Sequence, residues 1–186
     1  MAMLHVMHKK RRSKQEPLIV TNKFYMNKGA TRYTIRYITR TGKKHEKRKD
    51  LVSYGSVNIS FDTVDEAIMK MRKVQTIFKR KKPRPYVRHE VVTINAADFY
   101  RIGQDFSIIK EIANEIGEIF NQKGYQEMHA IHDARGKDDD SPNKGIHIHF
   151  IVNMYGTKGG RRFSESQKEF YQRRTDVRHI VEQHFI

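Results

Sequence analysis

The chain has 186 residues, with 37 Lys and Arg against 21 Asp and Glu, a formal net charge of +16. This length allows one domain with a sizeable core, and the charge points to a polyanion, nucleic acid first and an anionic membrane surface second. Charge alone does not separate an enzyme from a ribosomal-type structural protein, but the lack of cysteine excludes disulfides and thiolate metal sites.

No apolar run has the length of a membrane span, and no signal-peptide apolar segment opens the chain. A cytoplasmic location without membrane insertion is the default expectation. Residues 1–17, with the run Lys9–Arg12, read as a basic, solvated tail before a single domain over 18–186.

Leu18 to Val20 is a short strand candidate. Tyr33–Ile38 fits either period: Tyr33, Ile35 and Tyr37 alternate as in a strand, while Tyr33 and Tyr37 lie one helical turn apart. Val57 to Phe61 is another short strand. Thr63 to about Lys82 reads as a helix opened by the capping spacing Thr63…Glu66, with Val64, Ala67, Ile68, Met71, Val74, Ile77 and Phe78 on one stripe. The run Lys81–Pro85 separates it from a β-branched strand, Arg88 to Asn95. A second helix over about Asp105 to Lys123 stops at Gly124, and the strand Tyr125 to His132 follows. After the polar loop Asp133–Lys144 comes the strand Gly145–Asn153. A last helix opens at Ser164…Gln167, with Phe163 as a staple, and runs through Phe170, Tyr171, Val177, Ile180 and Val181. The order predicts an α+β fold: an antiparallel-rich central β-sheet with the three periodic helices on one face and the other face left for chemistry.

Gly145–Asn153 has two chemically distinct faces. His147, His149, Ile151 and Asn153 point one way, and Ile146, Ile148, Phe150 and Val152 the other. Met128, Ala130 and His132 share a face of the preceding strand, so pairing across the loop would gather His132, His147 and His149. Three imidazoles can hold a divalent ion and leave positions for substrate oxygens; beside a polyanion, that is phosphate chemistry. The bland alternative is a set of exposed strand histidines. His5, His8, His45, His89, His129, His179 and His184 read as surface or structural, and Asp138–Asp140 as a solvated loop tip rather than a second cation site.

A nucleophile is still required, and water or a hydroxyl would serve. Tyr33 and Tyr37 sit among cations in Thr31–Arg40, where Arg36, Arg40 and a metal would favour phenolate; the plain alternative is that they pack on the sheet.

The stretch Arg36-Tyr-Ile-Thr-Arg-Thr-Gly-Lys43, the pair His132-Asp133 and His147-Ile-His-Phe-Ile-Val-Asn153 resemble the ordered motifs of conjugative relaxases of the HUH endonuclease superfamily. The likeness spans about Tyr33 to Asn153. It implies an RRM-like palm and strand-specific nicking at an origin of transfer, with Tyr37 as nucleophile, a 5′-phosphotyrosyl link and a released 3′-hydroxyl. It also implies a metal triad of His132, His147 and His149, with Asp133 orienting an imidazole, Asn153 supporting a ligand or the scissile phosphate, and Thr93 beside the nick. The ion would be Mg2+ or Mn2+, with Ni2+ or Zn2+ as alternatives. Arg36, Arg40, Lys43, Lys44, Arg161 and Arg162 would hold DNA, within the basic runs Lys9–Arg12, Arg40–Lys49, Lys79–Arg88 and Arg161–Arg162. Implied partners are origin DNA, accessory relaxosome proteins and a secretion coupling protein, with the enzyme transferred alongside the strand from the bacterial cytoplasm. Many such domains open longer proteins.

The loop between His132 and His147 is longer and more acidic than the family pattern. Related transposases and replication initiators carry their tyrosine after the histidine pair, which makes Tyr171 the rival nucleophile. A non-catalytic nucleic-acid-binding module is the rival from another class.

Overall fold

The computed structural model describes residues 18–42, 45–78, 85–135 and 145–185. The expectations on the basic tail, Lys43, Lys44, most of Lys79–Arg88 and Asp138–Asp140 lie outside them. Five strands form one sheet: β1 (Leu18–Tyr25), β2 (Leu51–Val57), β3 (Val87–Asn95), β4 (Glu127–Asp133) and β5 (Gly145–Asn153). Their spatial order is β1-β3-β5-β4-β2, and every neighbouring pair is antiparallel. β3, β5 and β4 therefore lie inside the sheet, buried along nearly their whole length, and β1 and β2 form its edges.

Among the described residues five helices cover it: α1 (Ala30–Ile38), α2 (Val64–Ile77), α3 (Ala96–Arg101), α4 (Phe106–Gln122) and α5 (Gln167–Gln183). Asn95 and Asp105 cap α3 and α4 with side-chain oxygens, and Thr63 caps α2 from the spacing expected. The capping box of α5 is Ser166 with Glu169, two residues beyond the expected Ser164…Gln167.

The α+β, antiparallel architecture holds, but the three periodic helices do not share a face. Ile146, Ile148, Phe150 and Val152 of β5 pack with Ile109, Ile112, Ile116 and Phe120 of α4 and Val177 and Val181 of α5. Ile151, Met128 and Ala130 point to the opposite face. There they meet Ile35 and Ile38 of α1 and Ala67, Ile68 and Met71 of α2. The second face is thus roofed; its polar groups are the histidines at the end beneath α1 and Asn153, enclosed under α2.

Helix α5 docks through charge as much as apolar area. Arg173 forks onto Glu90 of β3 (2.6 and 2.8 Å) and Glu165 (2.7 and 3.0 Å), and Arg88 pairs with both carboxylates. Two guanidiniums and two carboxylates close on one another, which is how four such groups are accommodated under a helix. The expected strand at Val57–Phe61 is corrected: β2 ends at Val57 because Asn58 turns into the left-handed region (φ 61°).

Candidate active site

Tyr33–Ile38, ambiguous in sequence, is helical. A buried stripe of Ala30, Thr34, Ile35 and Ile38 lies on the sheet and leaves Tyr33 and Tyr37 on the helix's other flank. The helix closes with Thr41 N–H donating to the Arg36 carbonyl (3.1 Å), while Arg40 adopts φ 54°. Glycine usually fills that position, because a Cβ in the left-handed region costs roughly 1–2 kcal/mol. The arginine side chain explains the exception. Its Nε and Nη2 fork onto Asp50 (2.8 Å each), Nη1 donates to the Tyr37 carbonyl (2.7 Å), and Nη2 reaches His132 Nδ1 (3.0 Å). Burial alone would push Asp50 up, but the Arg40 hydrogen bonds and charge hold its carboxyl below the usual range. Arg40 is therefore a buried strut joining the end of α1 to β4. As expected DNA contact it is corrected: only 7 % of it is exposed.

The three motif histidines converge as the alternation requires. His132 of β4 lies opposite His147 of β5, and Thr93 of β3 flanks His147 on the other side. The His132 and His149 rings are 4.4 Å apart and the His147 and His149 rings 6.3 Å. A fourth imidazole, His89, joins them from β3, with Nε2 3.0 Å from His149 Nδ1. Expected to be surface or structural, it is buried and paired with a motif histidine. The run Val87, His89, Val91, Thr93 carried the signal by alternation, but only the register of β3 on β5 shows that it faces His149. Burial lowers His89 and His132 to about 4; Lys23 adds to the effect at His89, and at His132 burial outweighs the hydrogen bond to Ile38. His149 is driven well below 6.5 by burial and by its neighbours His132, His89 and His147. These three rings are neutral at pH 7.

Neutral imidazoles are suitable metal ligands, but this set does not fit an ion as arranged. His132 Nε2–H donates to the Ile38 carbonyl (2.6 Å) and Nδ1 accepts from Arg40, so both nitrogens are committed. Among the described residues no group of three His, Asp or Glu side chains has the geometry of a metal centre. Binding at this trio requires His132 to release Arg40 or Ile38.

Tyr37 stands edge-on to the cluster. Its ring centroid is 6.3 Å from His149, 6.4 Å from His89 and 5.6 Å from His45. The guanidinium of Arg40 lies 4.9 Å from its centre and that of the exposed Arg48 5.8 Å. Asp50 has no signal in the sequence, because the loop after α1 has no periodicity to place it; Arg48 belongs to the basic run Arg40–Lys49 expected at DNA, and His45, expected to be surface or structural, stands against the Tyr37 ring. Tyr171 is half-exposed on α5, in the layer on the opposite side of the sheet.

The remaining candidates are dispersed. Asp133 follows His132 and so faces away from it; it forks onto Arg135 (2.9 and 2.7 Å), which holds its carboxyl low, and it orients no imidazole. Asn153 lies on the histidine face but is wholly enclosed. Its Nδ2 donates to Met71 O (3.2 Å) and Gln126 Oε1 (2.9 Å), and its Oδ1 accepts from Gln75 Nε2 and Tyr155 N (3.2 Å each). Every polar site is spent on protein, so the expected phosphate contact is corrected to a structural pin. Arg36 pairs with Asp65 of α2 at the surface (2.7 Å). Arg161 and Arg162 are exposed but follow the far end of β5 from His147, roughly 20 Å of strand away.

A family model described as the nuclease domain of MobA/VirD2-like relaxases matches residues 37–185, from the tyrosine of α1 through the last helix. A comparison with curated proteins finds no significant match.

Proposed function

The chain belongs to the MobA/VirD2-like relaxase nuclease family, and on that premise we propose that Tyr37 nicks single-stranded DNA at an origin of transfer by transesterification. Family membership supports DNA nicking for mobilisation in general. The observation that carries the finer reading is the placement of Tyr37 beside three imidazoles, those of His45, His89 and His149, and two guanidiniums.

In the proposed step the phenol oxygen bonds to the scissile phosphorus and gives up its proton. The bond from phosphorus to the 3′ oxygen breaks, and that oxygen leaves as a protonated hydroxyl. Negative charge gathers on the phosphoryl oxygens, where Arg48 offers an exposed cation. Arg40 is the positioning group: it holds the Tyr37 carbonyl, His132 and Asp50 in one geometry. Thr93, next to His147, borders the path of the strand. Because the phosphotyrosyl bond conserves the energy of the phosphodiester, the reverse step rejoins the ends without ATP. The 5′ end would remain on the protein during transfer, with accessory and coupling proteins as partners. His132, His147 and His149 would hold a divalent ion such as Mg2+ or Mn2+ only after His132 gives up Arg40 or Ile38.

Labelled origin single strand, incubated with the protein and divalent ion, should give an adduct that survives denaturant. Tyr37→Phe should abolish it and Tyr171→Phe should not. The reverse pattern identifies Tyr171 as the nucleophile, and no adduct from wild type leaves a binding module.

A further inference from the structure

Outside the catalytic cluster, the outer flank of α1 borders a cavity of about 340 Å3 lined by Arg32, Tyr33, Arg36, Thr41, Gly42 and His45 among others. Tyr33 is 58 % exposed although its neighbours Thr34 and Ile35 are buried, so the core does not account for the ring. His45 is edge-on to both tyrosines, 6.0 Å from the Tyr33 ring and 5.6 Å from that of Tyr37. The two tyrosines are four residues apart on one helix, roughly 6 Å along its axis, which is the scale of a nucleotide from phosphate to base.

We propose that this groove is a nucleobase subsite: the base of the nucleotide next to the phosphate at Tyr37 stacks on Tyr33, and Arg32 and Arg36 hold its backbone. The inference rests on the nicking reading for the position of that phosphate. An exposed aromatic face with guanidiniums one position before and three after it on the helix offers stacking and charge together, the combination that binds single strands with little dependence on base identity. Arg36 is shared with Asp65, but that pair is at the surface, with side chains 28 % and 66 % exposed, so a phosphate can compete for it. Spacing is the consequence: whichever base stacks on Tyr33 places the adjoining phosphate at Tyr37.

The test is binding of uncleaved origin single strand carrying 2-aminopurine, or an abasic site, at one position at a time. One position beside the nick should be quenched by wild type and by Tyr33→Phe, but not by Tyr33→Ala. Tyr33→Ala and an abasic site at that position should each weaken binding by about tenfold, with no further loss in combination. Equal binding by Tyr33→Ala and wild type, or losses that add at every position, would overturn the subsite. Because Tyr33 is exposed, an unchanged melting temperature verifies that the variant folds. Binding is read without cleavage, so failure to form an adduct refutes the nicking reading separately from this one.

Discussion

Arg40 shows how a single residue can set stability against chemistry. Its left-handed backbone asks for glycine, while Asp50, Tyr37 and His132 ask for a guanidinium. Arg40→Gly should therefore be more stable than Arg40→Ala by about 1 kcal/mol in urea unfolding, since glycine relieves the backbone term. Both variants should lose at least tenfold in nicking, because both release His132. Calorimetry with Mn2+ should show tighter binding by Arg40→Ala than by wild type, by about tenfold for the charge-assisted hydrogen bond removed from His132 Nδ1. Equal affinity would mean that Arg40 does not compete with the ion. The motif histidines were legible from alternation alone, because the apolar back face of β5 defines which way they point. The strut was not, since Asp50 and His132 are 82 residues apart and their meeting depends on Arg40 between them.

At the scale of elements, Asn153 pins β5 to α2 and to Gln126 before β4. Asn153→Ala should cost roughly 2–4 kcal/mol, because it strands the buried side-chain oxygen of Gln126 and takes one of two acceptors from Gln75 Nε2. Nicking per folded molecule should change by less than about twofold; a large loss of nicking in a protein of unchanged stability would restore the phosphate role. Of the elements, α2, α4, β3, β4 and β5 were readable to within a few residues, apart from the end of α2, because each carries a long apolar period. Helix α1 was undecided because Tyr33–Ile38 satisfies both periods, and only the stripe beginning at Ala30 separates them. β2 was misplaced because Leu51–Val57 lies at a sheet edge with Ser53, Gly55 and Ser56 among its residues and shows no clean alternation. The second roof has no signal in the sequence, because periodicity reports that a helix has a buried face, not which face of the sheet it meets.

For the whole molecule, charge and burial determine the response to solution conditions. The logarithm of single-strand affinity should fall linearly with the logarithm of salt, and Arg48→Ala should flatten that slope by roughly 0.7, the single-strand value per phosphate. An unchanged slope would remove Arg48 from the phosphate path. His89 and His132 titrate at about 4 in the fold and near 6.5 unfolded, so the unfolded chain binds more protons between those values. Their contribution is complete above about pH 6.5 and is lost as pH falls toward 4, on the order of 3 kcal/mol for each. Unfolding midpoints of the metal-free protein should drop across that window, and a flat profile would mean that the cluster is open to water. The most direct measurement is mass spectrometry of the peptide that carries nucleotide after reaction with origin single strand. The account predicts the label on Tyr37 of α1; a label on Tyr171, or on any other residue, would contradict it.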